Sequence, residues 1–141
     1  MKTRSAIIIS FLIFLTSCKQ GFEPIDYGKE ACKHCQMTIV DRRYAAEIVD
    51  VKGKVYKFDD AGCMKKFINE HNMPIGDKLL FVADYKNAGG SFLDAKTALY
   101  LHNDFFKTPM NGNCGAFASA AEAKQLQDSL KTAITSWNDI K

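Results

Sequence analysis

The sequence predicts an α+β fold made of two related sheet-and-helix halves, and three observations carry that prediction. Two β-prone runs, residues 44–49 and 55–58, flank a Lys52-Gly53 turn, which is the pattern of a hairpin. An apolar stripe at helical spacing follows, made by Met64, Phe67, Ile68 and His71. Further strand runs and a second capped helix then repeat the theme loosely.

Taken in order, the chain opens with a targeting pattern. Lys2 and Arg4 precede an unbroken apolar run at residues 6–15, which at about ten residues is short of the roughly 20 that span a bilayer as a helix. Leu15-Thr16-Ser17-Cys18 then has the form of a bacterial lipobox. It predicts a lipoprotein signal peptide over residues 1–17, lipidation of Cys18, and a place in the cell envelope facing the periplasm or exterior. A plain signal peptide, or a buried helix with an incidental cysteine, are the alternatives. Residues 18–30 read as a lipidated tether, because proline, glycine and charge dominate there without a hydrophobic period.

The folded domain is expected over residues 31–141, with halves at about 31–76 and 77–141. After the hairpin, Asp59 or Asp60 suits a helix N-cap, and the helix runs from about Ala61 to His71, stopped by Asn72 and Pro74. Residues 79–85 read as a strand, 87–90 as a turn, and 99–101 as a further strand. A Pro/Gly/Asn loop spans 103–114, and Ser119 with Glu122 makes a capping box for a helix through Leu126 and Leu130. The last residues suit either a continued helical stripe or a short terminal strand, and the strand is preferred.

Composition sets broad limits. At 141 residues, with 47% hydrophobic and 25% charged residues, one compact domain is the default. A formal charge of +3, part of it in the targeting segment, gives no strongly basic face for nucleic acid. No serine-nucleophile motif, phosphate-binding glycine loop or paired-carboxylate motif stands out.

The chemistry lies in sulfur. Cys32-Lys33-His34-Cys35-Gln36-Met37 places four donors able to bind a soft or borderline metal within six residues. In extended chain Cys35 and Met37 point to one side, and a turn would bring Cys32 to them. The same C-x-x-C suits a disulfide or a redox pair, although the β-branched Thr38-Ile39-Val40 leaves no following helix of the thioredoxin kind. A second candidate is Met110 in Thr108-Pro109-Met110-Asn111-Gly112, since loops run over the surface and methionine prefers the core. Cys63, in the first turn of the expected helix, is a third, read first as a small buried residue. Cys114 and His102 are weaker candidates beside the Met110 loop. Cys32, Cys35, Cys63 and Cys114 allow two disulfides in three connectivities, or serve as ligands. Copper(I) favours sulfur, and a thioether binds it without losing a proton or oxidising to a disulfide, which suits delivery outside the cytoplasm.

The order of these pieces resembles the NosL family. The lipobox Cys18 is followed by Cys35-Gln36-Met37, by Phe58-Asp59-Asp60-Ala61-Gly62-Cys63-Met64, and by the Thr108–Gly112 loop with Phe117-Ala118-Ser119. The resemblance implies two ββαβ-like units, similar to part of the organomercurial lyase fold. It implies copper(I) binding and delivery toward maturing nitrous oxide reductase, with an ABC-type membrane assembly complex as partner and no turnover of its own. By motif position it implies Met37 and Met110 as first ligands, Cys35 next and His102 after them; Cys32, His34, Cys63 and Cys114 rank lower. Gln36 stands where the family often has glycine, and Cys32, His34 and Cys114 are extra donors. The competing functions are a thiol–disulfide oxidoreductase using Cys32 and Cys35, and a structural lipoprotein stapled by disulfides.

Overall fold

The computed structural model describes residues 21–141. The basic start, the apolar run and Cys18 lie outside the described residues. Among the described residues no helix is long and apolar enough to cross a membrane.

The fold is α+β, with two helices and two small antiparallel sheets. The expected hairpin forms from β1 (Ala46–Val49) and β2 (Val55–Phe58), with Ala46 opposite Phe58 and Val49 opposite Val55. Its turn is held by the Asp50 carboxylate, which accepts the amides of Lys52 and Lys54 at 2.8 and 2.9 Å. Gly53 supplies the positive φ of 80° that the turn requires. Helix α1 (Ala61–Glu70) follows, capped by Asp60. His71, expected as its last residue, is instead the C-cap, with its ring Nδ1 2.9 Å from the Phe67 carbonyl oxygen.

Strand β3 (Leu79–Ala83) returns beside β1, with Leu80 opposite Ile48 and Val82 opposite Ala46, and β4 (Phe92–Asp94) adds an edge. The first sheet therefore has the order β2-β1-β3-β4. The boundary between sheets falls after Asp94, later than the expected division near residue 76. The reason is alternation: Leu80 and Val82 are needed to extend the apolar face formed by Ala46, Ile48 and Phe58, which α1 covers with Met64, Phe67 and Ile68.

The second sheet has the order β6-β5-β7. Strand β5 (Leu99–His102) pairs with β6 (Cys114–Phe117), helix α2 (Ala120–Leu130) follows, and β7 (Ile134–Thr135) returns beside β5. Both units therefore trace the same ββαβ path. Half of the expected capping box forms: Glu122 donates its amide to the N-cap Ser119 Oγ at 3.3 Å, but its carboxylate accepts the amide of Ala118, one residue before the cap, at 3.1 Å. Strands β4 and β6 were not expected. In β6, Gly115 is required because a Cβ there would lie 2.7 Å from the Phe106 ring. The larger core draws on both sheets, including Tyr100, Ala116, Trp137 and Ile140. A smaller one gathers Tyr44, Leu101, Phe106, Phe117 and Ala123.

From residue 22 onward the expected tether is packed rather than free. Phe22 stacks on Phe92 at 3.9 Å between ring centroids and meets Phe81 edge-on. Ile25 is buried. This strap covers the face of the first sheet opposite α1, where buried Glu47 accepts the Glu23 amide at 2.8 Å. The Lys57 ammonium bonds Glu23, Glu30 and the Pro24 carbonyl there at 2.8 to 3.0 Å.

Candidate metal centre

The site is assembled by two local structures that the first sheet holds together. One is a tight turn at residues 32–36, where the Gln36 amide donates to the Cys32 carbonyl at 3.0 Å and the Cys32 amide to the Met37 carbonyl at 2.8 Å. An Ala31–Thr38 bridge closes it, and Gln36 takes a left-handed φ of 65°. The Lys33 amide donates to the Lys57 carbonyl at 2.8 Å, which docks the turn on β2. The other is the entry to α1. Asp60 accepts the Cys63 amide at 2.6 Å, which fixes the first helical turn and aims Cys63 back toward the turn at residues 32–36.

As a result the ligand atoms of Cys32, Cys35, Asp59 and Cys63 all lie within 4.8 Å of one another. Cys32 and Cys63 are fully buried, Asp59 is 1% exposed, and Cys35 is partly exposed. All four described cysteines are free thiols. The Cys35 thiol donates to Asp59 Oδ2 at 3.2 Å, while Asp59 Oδ1 is buried with no hydrogen-bond partner.

Electrostatics separate the three thiols. Cys32 is drawn down to about 6, first because the Cys63 thiol donates to it and then because the amides of Cys35, Asp59 and His34 face it, against the effect of its burial. Burial pushes Cys35 up to about 11, helped by Asp59 and Cys32. Cys63 is raised strongly, chiefly because it donates to Cys32, with burial and Asp59 adding to that. The backbone amides and the Cys63 thiol thus favour the anion at Cys32, while Cys35 and Cys63 are held toward their protonated forms, whose protons a soft ion must displace. That donor set fits a thiophilic metal.

The other expected site residues are placed as follows. Met37 lies just beyond the turn and is 49% exposed. Met110 is partly buried against the larger core, to which Cys32 and Cys63 also belong. Its amide donates to Asp60 Oδ2 at 3.3 Å, and its loop meets α1 where a Cβ on Gly62 would lie 3.2 Å from Gly112 Cα. His34 pairs with Glu70 at 3.2 Å. His102 is exposed and faces Cys114 across β5 and β6. Cys114 is buried, its thiol pushed up to about 12 first by that burial. These last three stand outside the four-residue group. Asp59 is the group member that sequence reasoning missed. Its signal was the Asp59-Asp60 doublet, since a helix needs only one cap.

The family described as NosL matches residues 25–141. A solved structure, that of the copper chaperone NosL from Shewanella denitrificans, superimposes with a TM-score of 0.72. The two are 16% identical, and the match covers 86% of this chain and 96% of that one. At that identity the likeness is one of fold. No curated protein matches.

Proposed function

This chain belongs to the NosL family, and from that premise we propose that it is a copper(I)-binding chaperone whose ion is held by Cys32, Cys35 and Cys63. The observation that carries this reading is the meeting of three cysteine sulfurs with a buried carboxylate. Copper(I) is soft and takes sulfur in preference to oxygen. The amides facing Cys32 favour its anion, so one ligand is ready before the ion arrives. Cys35, the partly exposed member, is the natural point of entry. Met37 and Met110, thioethers that need no deprotonation, serve in the same proposal as neutral donors for passing the ion on.

In the same proposal the chain is lipid-anchored through Cys18 at the outer side of a membrane. Its recipient is maturing nitrous oxide reductase, reached through an ABC-type assembly complex. The support is the lipobox sequence and the family.

An oxidoreductase built on Cys32 and Cys35 fits less well. Attack on a disulfide needs an accessible thiolate. Here the low-pKa sulfur, Cys32, is fully buried, and the accessible one, Cys35, is held protonated. The reading is tested by titrating the reduced full-length chain with copper(I) against a colorimetric chelator. One ion per chain is expected, lost in Cys32→Ser and Cys63→Ser and weakened in Met37→Leu and Met110→Leu. No stoichiometric complex, or equal affinity in the cysteine variants, ends the proposal.

A further inference from the structure

We infer that the strap at residues 22–30 is a pH-operated latch: it lies closed over the first sheet while Glu47 beneath it is protonated, opens when that carboxyl ionises, and in opening loosens the turn that carries Cys32 and Cys35. The inference does not depend on which ion the cluster holds.

The strand period places Glu47 under the strap. Ala46 and Ile48 of β1 join the core on the α1 side, so Glu47 between them faces the other way. Its neighbours across the sheet are Lys57 on β2 and Phe81 on β3. The strap closes over all three. Phe22 packs on Phe81 and Phe92, and Glu23 donates its amide to Glu47 Oε1 at 2.8 Å. Glu47 is fully buried, and its Oε2 has no hydrogen-bond partner. A buried carboxyl with one oxygen bare is far less costly neutral than charged.

The charges around Glu47 point the same way. Lys57 is the cation beside it, and that ammonium is already shared by Glu23 and Glu30 at 2.8 to 3.0 Å. Tyr27 of the strap also feels Glu47, with Arg42 4.3 Å above its ring and Asp41 near it. An ionised Glu47 is therefore a third carboxylate around one ammonium. Burial first, then Glu23 and Glu30, push it up to about 7 against the Glu23 amide and Lys57. With the strap lifted, the carboxyl meets water and returns toward 4.5. The closed form then keeps a proton that the open form has lost. Closure accordingly weakens as pH rises from about 4.5 to about 7, by up to about 10-fold per unit, and no further above that.

The latch and the turn share Lys57. Its ammonium holds Glu23, Glu30 and the Pro24 carbonyl, while its own carbonyl accepts the Lys33 amide at 2.8 Å. Glu30 stands two residues before Cys32. Its carboxylate accepts the Asp26 amide at 2.6 Å, and its carbonyl accepts the Ile39 amide at 2.9 Å. Lifting the strap takes Glu30 from Lys57 and slackens the chain entering the turn.

Amide hydrogen exchange on the reduced full-length chain, corrected for the intrinsic pH dependence of exchange, tests this. Protection of the Glu23 and Asp26 amides is expected to fall at least about 10-fold between pH 5 and 7.5. The Lys33 amide should follow, while the Ala123 amide in α2 stays unchanged. In Glu47→Gln the strap should stay protected across the range. Strap protection that ignores pH, or that changes equally in Glu47→Gln, overturns the latch. A Lys33 amide that stays protected while the strap opens overturns its link to the turn. Carbon-13 NMR of the Glu47 carboxyl in the wild-type chain is a readout independent of the variant. Its titration should fall near 7 and in step with the strap; an ordinary carboxylate titration near about 4.3 overturns the inference.

Discussion

The amide of Met110 donates to Asp60 Oδ2 at 3.3 Å, and the other oxygen of the same carboxylate accepts the Cys63 amide at 2.6 Å. One side chain therefore caps α1 and anchors the Met110 loop to it. Asp60→Ala removes both bonds and is expected to cost about 1–3 kcal/mol. Asp60→Ser restores the cap but is too short to hold the loop. It should recover most of the stability while the Met110 amide still exchanges faster than in wild type. Urea unfolding and amide hydrogen exchange on the three proteins check this; full protection of Met110 in the serine variant would contradict it.

Copper(I) affinity is expected to rise with pH. Cys32 is drawn down to about 6 and is already a thiolate at neutral pH, whereas Cys35 is pushed up to about 11 and Cys63 is raised as well. Binding to all three sulfurs between pH 6.5 and 8.5 then releases about two protons per ion, so the affinity gains about 100-fold per pH unit. Chelator competition across that range measures the slope. A flat profile would mean that Cys35 and Cys63 are not ligands.

The legible parts of the fold were those with local signals. The Gly53 turn, the Asp60 cap and the Ser119 cap each depend on a few adjacent residues. Strand β6 was hidden because Cys114-Gly115-Ala116 has weak β-propensity. What makes it a strand is distant, the pairing with β5 and the fit of Gly115 against Phe106. The strap at residues 22–30 was hidden for a similar reason, since its charges read as solvated until Lys57 and Glu47 arrive from the hairpin to meet them. In the site, the spacing of Cys32 and Cys35 told of a turn. That Cys63 joins them could not be read, because it depends on how α1 leaves β2.

Glu47 is expected to make stability fall as pH rises. It is fully buried, and burial pushes it from 4.5 to about 7, outweighing the Glu23 amide and Lys57. A raised folded-state value means that its contribution is fully present below about 4.5 and lost as pH rises through about 7. Glu47→Gln keeps an oxygen for the Glu23 amide and carries no charge. It should be more stable than wild type at pH 8 by about 1–3 kcal/mol, and no more stable at pH 4. Denaturant unfolding at the two pH values checks the sign, and a variant weaker at pH 8 would refute it.

Cys114 and His102 face each other on β6 and β5, yet neither belongs to the metal group. The buried Cys114 thiol is raised by desolvation first, with no ligand beside it to favour the anion, so it behaves as a small apolar side chain. His102 is exposed, and its backbone carbonyl accepts the Thr132 hydroxyl at 2.9 Å. Cys114→Ala is therefore expected to cost about 1 kcal/mol through the small cavity it leaves, with copper(I) affinity unchanged. His102→Ala should change neither stability nor affinity. Cys35→Ser, at a partly exposed position where the cavity is smaller, should do the reverse: little change in stability and at least about a 10-fold loss of copper(I) affinity. Thermal unfolding and chelator competition on the three variants separate sulfur that binds from sulfur that packs, and a loss of affinity in Cys114→Ala would move the metal site toward β6.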